Sequence, residues 1–245
     1  MELLSQFGRP VTILVGHFGS GKTEIAVNLA FALQEQGRRV VLGDLDVVKP
    51  YFRCRLVRED LEARGVQLIA PEGDRFFADL PIVVPQLRGA ADRAVRGEVS
   101  TIFDVGGDDT GARALGSLAG FLRPEAVDLL FVVNANRPFA EDEAAILRML
   151  QEVEAAAHLR VTALVANTHL MDETTAADVR GGLAVARALA RRAGLPIRCA
   201  AALAPVCDAV AAAGGSDGVP LFPLVRHIVP PHVRRRPGSR RSLAV

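Results

Sequence analysis

Residues Gly16-His17-Phe18-Gly19-Ser20-Gly21-Lys22-Thr23 fit G-x-x-x-x-G-K-[ST], a spacing that wraps backbone around a phosphate chain. Its glycines let successive N–H groups turn inward, and a helix starting there adds the positive end of its dipole at the same spot. Lys22 has the length to reach β- and γ-phosphates, and the Thr23 hydroxyl is a ligand for Mg²⁺. Glu24 follows at the helix start. Two acidic sites belong to the same chemistry. Asp44 and Asp46 close one apolar run, and Asp104 closes another (VSTIFDV) just ahead of Gly106 and Gly107. An apolar strand ending in Asp and then glycines is the pattern of the second Mg²⁺-linked carboxylate in nucleotide hydrolases. Gly107 there brings a backbone N–H toward a γ-phosphate, and the loop after it acts as a switch.

These residues work together only if ordered elements hold them at one edge. Val11, Ile13, Leu14 and Val15 form a β-branched, apolar run that reads as a buried strand ending at Gly16. Ile25, Ala26, Leu29, Ala30 and Leu33 then recur at helical spacing, with Gly37 as the stop. Further strands are expected over 38–43, 66–69, 99–105, 127–134, 161–166 and 196–201. Helices are expected over 52–64, 87–95, 139–157, 174–193 and 206–213, with Glu141, Asp142 and Glu143 in the first turn of the third. Residues 71–85, punctuated by Pro71, Gly73, Pro81 and Pro85, read as a surface excursion carrying Arg75, Phe76 and Phe77. Residues 219–228 return to the core. Strands alternating with helices predict an α/β fold: a doubly wound, mostly parallel sheet with helices on both faces. Acidic strand ends then border the ligand crevice of the open sheet. A single domain is expected over 1–229, followed by a basic tail over 230–245 with Arg234, Arg235, Arg236, Arg240 and Arg241.

Composition narrows the classes. The chain has 245 residues, half of them hydrophobic, and a net charge of +1, enough for a sizeable core and without a general nucleic-acid footprint. With no Trp and a single Tyr, an aromatic platform for stacking bases is not expected. Glu2, Gln6 and Arg9 interrupt any early apolar run, so a cytoplasmic protein without signal peptide or membrane span is expected. Cys54, Cys199 and Cys207 have no CxxC spacing and read as free thiols. His158, His169, His227 and His232 lack the spacing of a zinc site, and no serine sits in a G-x-S-x-G elbow.

Taken together, the motifs resemble those of P-loop ATPases of the MinD/ParA/CobQ type, in the SIMIBI class. GHFGSGKTEIAVNLA is similar to the family's first loop and helix, and VVLGDLDVVKPYF to its D-x-D strand end with switch I. TIFDVGGDDTGARALG is similar to its D-x-x-G switch II. VTALVANTHL resembles the strand whose terminal Asn reads adenine, and ALAPVCDAVAAAGGSDGVPLFPL the closing base loop. A MinD-like subgroup that shares the GHFGSGKTE loop and the DVGGDD segment is closer still. The resemblance implies ATP and Mg²⁺ as ligands, with Lys22 and the loop amides on the phosphates and Thr23 on the metal. It implies that Asp46 orients the attacking water, that Asp44 lies close to the metal shell, that Asp104 holds a metal-bound water, and that Asn167 pairs with the base. It also implies a homodimer. Members carry a lysine after the first glycine of the loop that reaches the partner's nucleotide; here His17 stands in that place, with Lys49, Arg53 and Arg113 as other cations nearby. The family's membrane-targeting helix is absent, and Cys199 and Cys207 do not match the metal carriers' paired cysteines. Asn167-Thr168-His169-Leu170 lacks the Lys and Asp of the guanine-reading N-K-x-D box, so ATP is expected.

Three functions fit such a chain. One is an ATPase whose nucleotide state switches its affinity for a protein partner. Another is an ATP-dependent small-molecule kinase or ligase, as in dethiobiotin synthetase or cobyrinate synthase, with residues 71–85 and Asn134-Ala135-Asn136-Arg137 at the acceptor. The third is a non-catalytic nucleotide-binding protein, which the joint presence of Asp44, Asp46 and Asp104 argues against.

Overall fold

The computed structural model describes residues 2–46, 54–70, 76–107, 109–137 and 143–229. In chain order these form α1 (Glu2–Ser5), β1 (Val11–Val15), α2 (Lys22–Glu35), β2 (Val40–Leu45), α3 (Arg58–Ala63), β3 (Val66–Ile69), α4 (Phe76–Val95) and β4 (Ser100–Val105). There follow α5 (Asp109–Ala119), β5 (Val127–Val133), α6 (Glu143–Ala157), β6 (Ala163–Ala166), α7 (Ala176–Ala193), β7 (Ile197–Leu203), α8 (Ala204–Ala212) and β8 (Leu221–Leu224). A short 3₁₀ turn, Cys54–Val57, leads into α3.

The strands make one eight-stranded sheet in the order β3-β2-β4-β1-β5-β6-β7-β8. Every pairing is parallel, so the expected mostly parallel sheet is parallel throughout. Alternate strand residues feed the two faces. Ile13, Phe103 and Phe131 pack toward α4, α5 and α6, while Leu14, Ile102 and Leu130 pack toward α2 and α3. Both faces are therefore covered, which is why the central strands are apolar without a break. From β1 the chain winds outward past β4 to β2; from β4 it crosses back over β1 to β5. That reversal opens a crevice at the carboxyl end of β1, where an open α/β sheet takes its ligands.

Two segments differ from the sequence expectation. The described part of the 71–85 excursion, from Phe76 on, is continuous helix with 87–95, although it contains Pro81 and Pro85. Each proline removes one i→i−4 donor. Leu87, Ala90, Ala91 and Ala94, all buried on one stripe against the sheet, hold the rest of the helix in place. The segment after Gly107 is also helical from Asp109, so among the described residues only Gly106 and Gly107 separate β4 from α5. Lys49, Arg53, Arg75, Glu141, Asp142 and the arginine-rich stretch from Pro230 lie outside the described residues.

Candidate functional site

The turn from β1 into α2 builds one wall of the crevice. Gly21 sits at the α2 N-cap with φ +89°, and a Cβ there would lie 2.1 Å from the Asn167 side-chain nitrogen. Only glycine combines that backbone with that neighbour. Lys22 is buried and donates from Nζ to the carbonyls of Gly16 at 2.9 Å and His17 at 3.0 Å, so its ammonium lies across the loop's concavity. His17 turns its Nδ1 to the Phe18 carbonyl at 2.9 Å, and Phe18 is exposed. Ser20 is fully buried.

Three side chains from the ends of β5 and β6 brace the loop from behind. Asn167 is buried and donates to the Ser20 carbonyl at 2.7 Å. Arg137 donates from Nε to the Gly19 carbonyl at 2.9 Å, and Asn134 reaches the same oxygen at 3.4 Å. Asn134 Oδ1 also accepts from the His169 N–H at 3.3 Å. Burial, and secondarily the Arg137 charge, holds the His169 imidazole below its ordinary pKa, so it stays neutral near pH 7. Arg137 and His169 were not expected at the phosphate loop. Their signal was position: each follows the end of a strand next to, or one removed from, β1.

The carboxylates come from β2 and β4, whose residues Asp44 and Asp104 are register partners. Asp44 is buried, bonded by Arg55 Nε at 2.9 Å and by the Asp46 N–H at 3.0 Å. Burial raises its pKa, and the Arg55 guanidinium opposes the rise. Asp104 differs: it is equally buried but forms no ion pair among the described residues, and the Thr23 hydroxyl approaches it without closing a hydrogen bond of normal geometry. Its pKa is pushed up to about 8 by burial and by the neighbouring Asp44 charge, against the pull of Thr23 and Lys22. Asp46 lines the crevice. Gly107 packs on the phosphate loop, where a Cβ would lie 2.6 Å from the Phe18 nitrogen.

Glu24 lines the same crevice from the first turn of α2. Its carboxylate accepts from the N–H groups of His227 at 2.6 Å and Ile228 at 3.1 Å, and burial raises its pKa. Asn28, one turn on, exchanges two hydrogen bonds with the Val225 backbone. The segment that follows β8 is thereby fixed to the first turns of α2.

A cavity of about 370 Å³ runs between these walls. One end holds Gly19, Lys22, Thr23, Asp46 and Gly107; the other is apolar, with Met171, Leu203, Leu224 and Ile228. Arg226 and Asp172 form an ion pair at 2.5 Å between the segment after β8 and the loop before α7. A polar end beside a helix N-terminus and an apolar slot beyond it suit a phosphorylated ligand with a flat apolar body. The structure brings Gly16 to Thr23, Asp46, Asp104, Gly107 and Asn167 to one place, while Asp44 is engaged by Arg55.

A family model described as the CobQ/CobB/MinD/ParA nucleotide binding domain matches residues 11–191. The chain belongs to this family. Within the CobQ/CobB/MinD/ParA family, the antiactivator FleN of Pseudomonas aeruginosa is 28% identical over 174 residues, 64% of this chain and 62% of FleN. The same fold occurs in FtsY of Mycoplasma mycoides, with a TM-score of 0.53 at 17% identity over 77% of this chain and 58% of that one. It occurs also in the GDP complex of FtsY from Elizabethkingia anophelis, with a TM-score of 0.53 at 20% identity over 77% of this chain and 55% of that one. The chain thus spans about three fifths of the relatives it matches. No described helix is long and apolar enough to cross a membrane.

Proposed function

We propose that this protein binds Mg-ATP, hydrolyses it slowly, and uses its nucleotide state to change its affinity for a protein partner. The observation that carries this is Asp104: a fully buried carboxylate with no ion-pair partner among the described residues, beside the Thr23 hydroxyl and the Lys22 ammonium of the phosphate loop. A buried carboxyl without a counter-charge is costly to ionise unless a cation completes it. Among the described residues no cluster of three or more His, Cys, Asp or Glu side chains forms a metal cage. Mg²⁺ takes one or two protein ligands and completes its shell with phosphate and water. Thr23 and Asp104 would hold it, Asp104 through water. When bound, the ion neutralises charge that builds on the phosphates. Asp44 contributes from behind, its charge already matched by Arg55.

The residues' own parts follow. The loop amides and the Lys22 ammonium hold the β- and γ-phosphates, and Lys22 exchanges its two carbonyl partners for them. Gly107 N–H approaches the γ-phosphate. Asp46 orients a water whose oxygen bonds to the γ-phosphorus as the bond to the ADP oxygen breaks. The base lies in the apolar slot beside Asn167, whose amide nitrogen already holds Ser20 and leaves its oxygen for the base edge. ATP is favoured over GTP because Leu170, half exposed, stands where a guanine-reading acid is needed. Asn134 and Arg137, candidates for holding a small-molecule acceptor, bond instead to the phosphate loop. The antiactivator FleN, a relative named for acting on another protein, supports a partner-switching role.

Calorimetry with Mg-ATP, Mg-ADP and Mg-GTP tests the assignment. Lys22→Ala should abolish ATP binding. Asp46→Ala should bind ATP as before but lose turnover by about a hundredfold. An unmodified protein that shows no heat with any of the three nucleotides refutes the proposal.

A further inference from the structure

A second cavity, of about 280 Å³, lies on the far side of Gly107 from the nucleotide cavity. Gly107 lines both. One wall is the backbone of Gly16, Gly106 and Gly107, which puts no side chain between the cavity and the γ-phosphate end of the first. The opposite wall is α6, through Val153 and Ala156. Its charged lining residues are Arg113 of α5 and Glu152 of α6. Resting on the ATPase reading, we propose that this cavity is the exit for the inorganic phosphate cleaved from ATP.

The physical case is one of order. A nucleoside diphosphate in the first cavity fills it from the phosphate loop to the apolar slot. A phosphate released at the γ position is then behind the ADP, with the α2 N-terminus on one side and Asp104 on another. In this order the ADP lies between the phosphate and the apolar end of the first cavity. The second cavity opens at that position, over glycines. Arg113 draws the dianion outward, and Glu152 keeps the passage near neutral, so the ion is attracted without being retained. Release of phosphate before ADP follows, and it would be the step that lets the Gly107 turn and α5 move.

The test uses the full chain with Mg-ADP bound and inorganic phosphate as the probe. Phosphate exchange is followed by ³¹P NMR line broadening, and ADP affinity is measured alongside. Val153→Phe, which adds bulk to the cavity, should slow phosphate exchange at least about tenfold with ADP affinity unchanged. Arg113→Ala, at an exposed position, should weaken phosphate binding to the ADP complex by about tenfold, and Glu152→Gln should strengthen it. Exchange at the unmodified rate in both Val153→Phe and Arg113→Ala would overturn the proposal. So would an ADP complex that exchanges no phosphate. Quench-flow on the unmodified protein separates the two claims: absence of ATP cleavage sinks the ATPase reading, while the exchange measurements still decide whether phosphate uses this cavity.

Discussion

Replacing Asp104 by Asn should stabilise the nucleotide-free protein and disable it. In the fold the carboxyl is buried with no ion-pair partner among the described residues, and its pKa is pushed up to about 8, against an ordinary value of 3.8. The raised value means that the folded state holds this proton more tightly than the unfolded chain does. Stability is therefore greatest below about pH 4 for this group, falls as pH rises, and levels off above about pH 8. One proton over that window gives a slope of about 1.4 kcal/mol per pH unit, or about 4 kcal/mol by pH 7. Asn keeps the shape and removes the charge, but forfeits the attraction to Lys22, so a net gain of about 2–4 kcal/mol at pH 7.5 is expected. Urea denaturation from pH 5 to pH 9 without nucleotide reads it. The unmodified protein should lose stability with rising pH more steeply than Asp104→Asn, by about one proton's worth of slope, and the two should converge toward pH 5. Adding Mg-ATP should reverse the ranking, because the negative carboxylate holds the hydrated cation more tightly than a neutral amide does. A variant that is less stable than the unmodified protein at pH 8 without nucleotide, or an unchanged pH slope, would refute the reasoning.

Two other substitutions probe the surroundings of the same carboxylates. Arg55→Ala leaves Asp44 buried without its counter-charge and should cost about 3–5 kcal/mol in urea denaturation; adding Asp44→Asn should recover most of that loss. Gly107→Ala drives a Cβ to 2.6 Å from the Phe18 nitrogen, so ATP affinity by calorimetry should fall at least about tenfold while ordinary strand packing remains.

Much of the site was legible because it is local. The phosphate loop needs eight adjacent residues and the strand and helix on either side, and all of these are specified by short-range sequence pattern. The ends of β2 and β4 were legible for the same reason: an apolar run that stops at Asp places the acid at a strand tip. The continuation of α4 through Pro81 and Pro85 was not legible, because local propensity opposes it and only packing of Leu87, Ala90 and Ala91 on the sheet sustains it. The partners of Asp44 and Asn167 were equally hidden. Arg55 lies eleven positions beyond Asp44, and the Ser20 carbonyl lies 147 positions from Asn167, distances over which composition and periodicity carry no information.

What the chain determined by itself was a covalent order: a loop able to wrap phosphate, acids at two strand tips, and alternating elements that can only bury themselves as a parallel sheet covered on both faces. What the tertiary structure decided was which charges meet. Strand order set β2 and β4 side by side, so that Asp44 and Asp104 face one crevice. The turn before α3 then neutralised one of them with Arg55 and left the other with no ion-pair partner among the described residues. The physical reason is that electrostatic energy depends on distance and burial, and those are set when the sheet assembles.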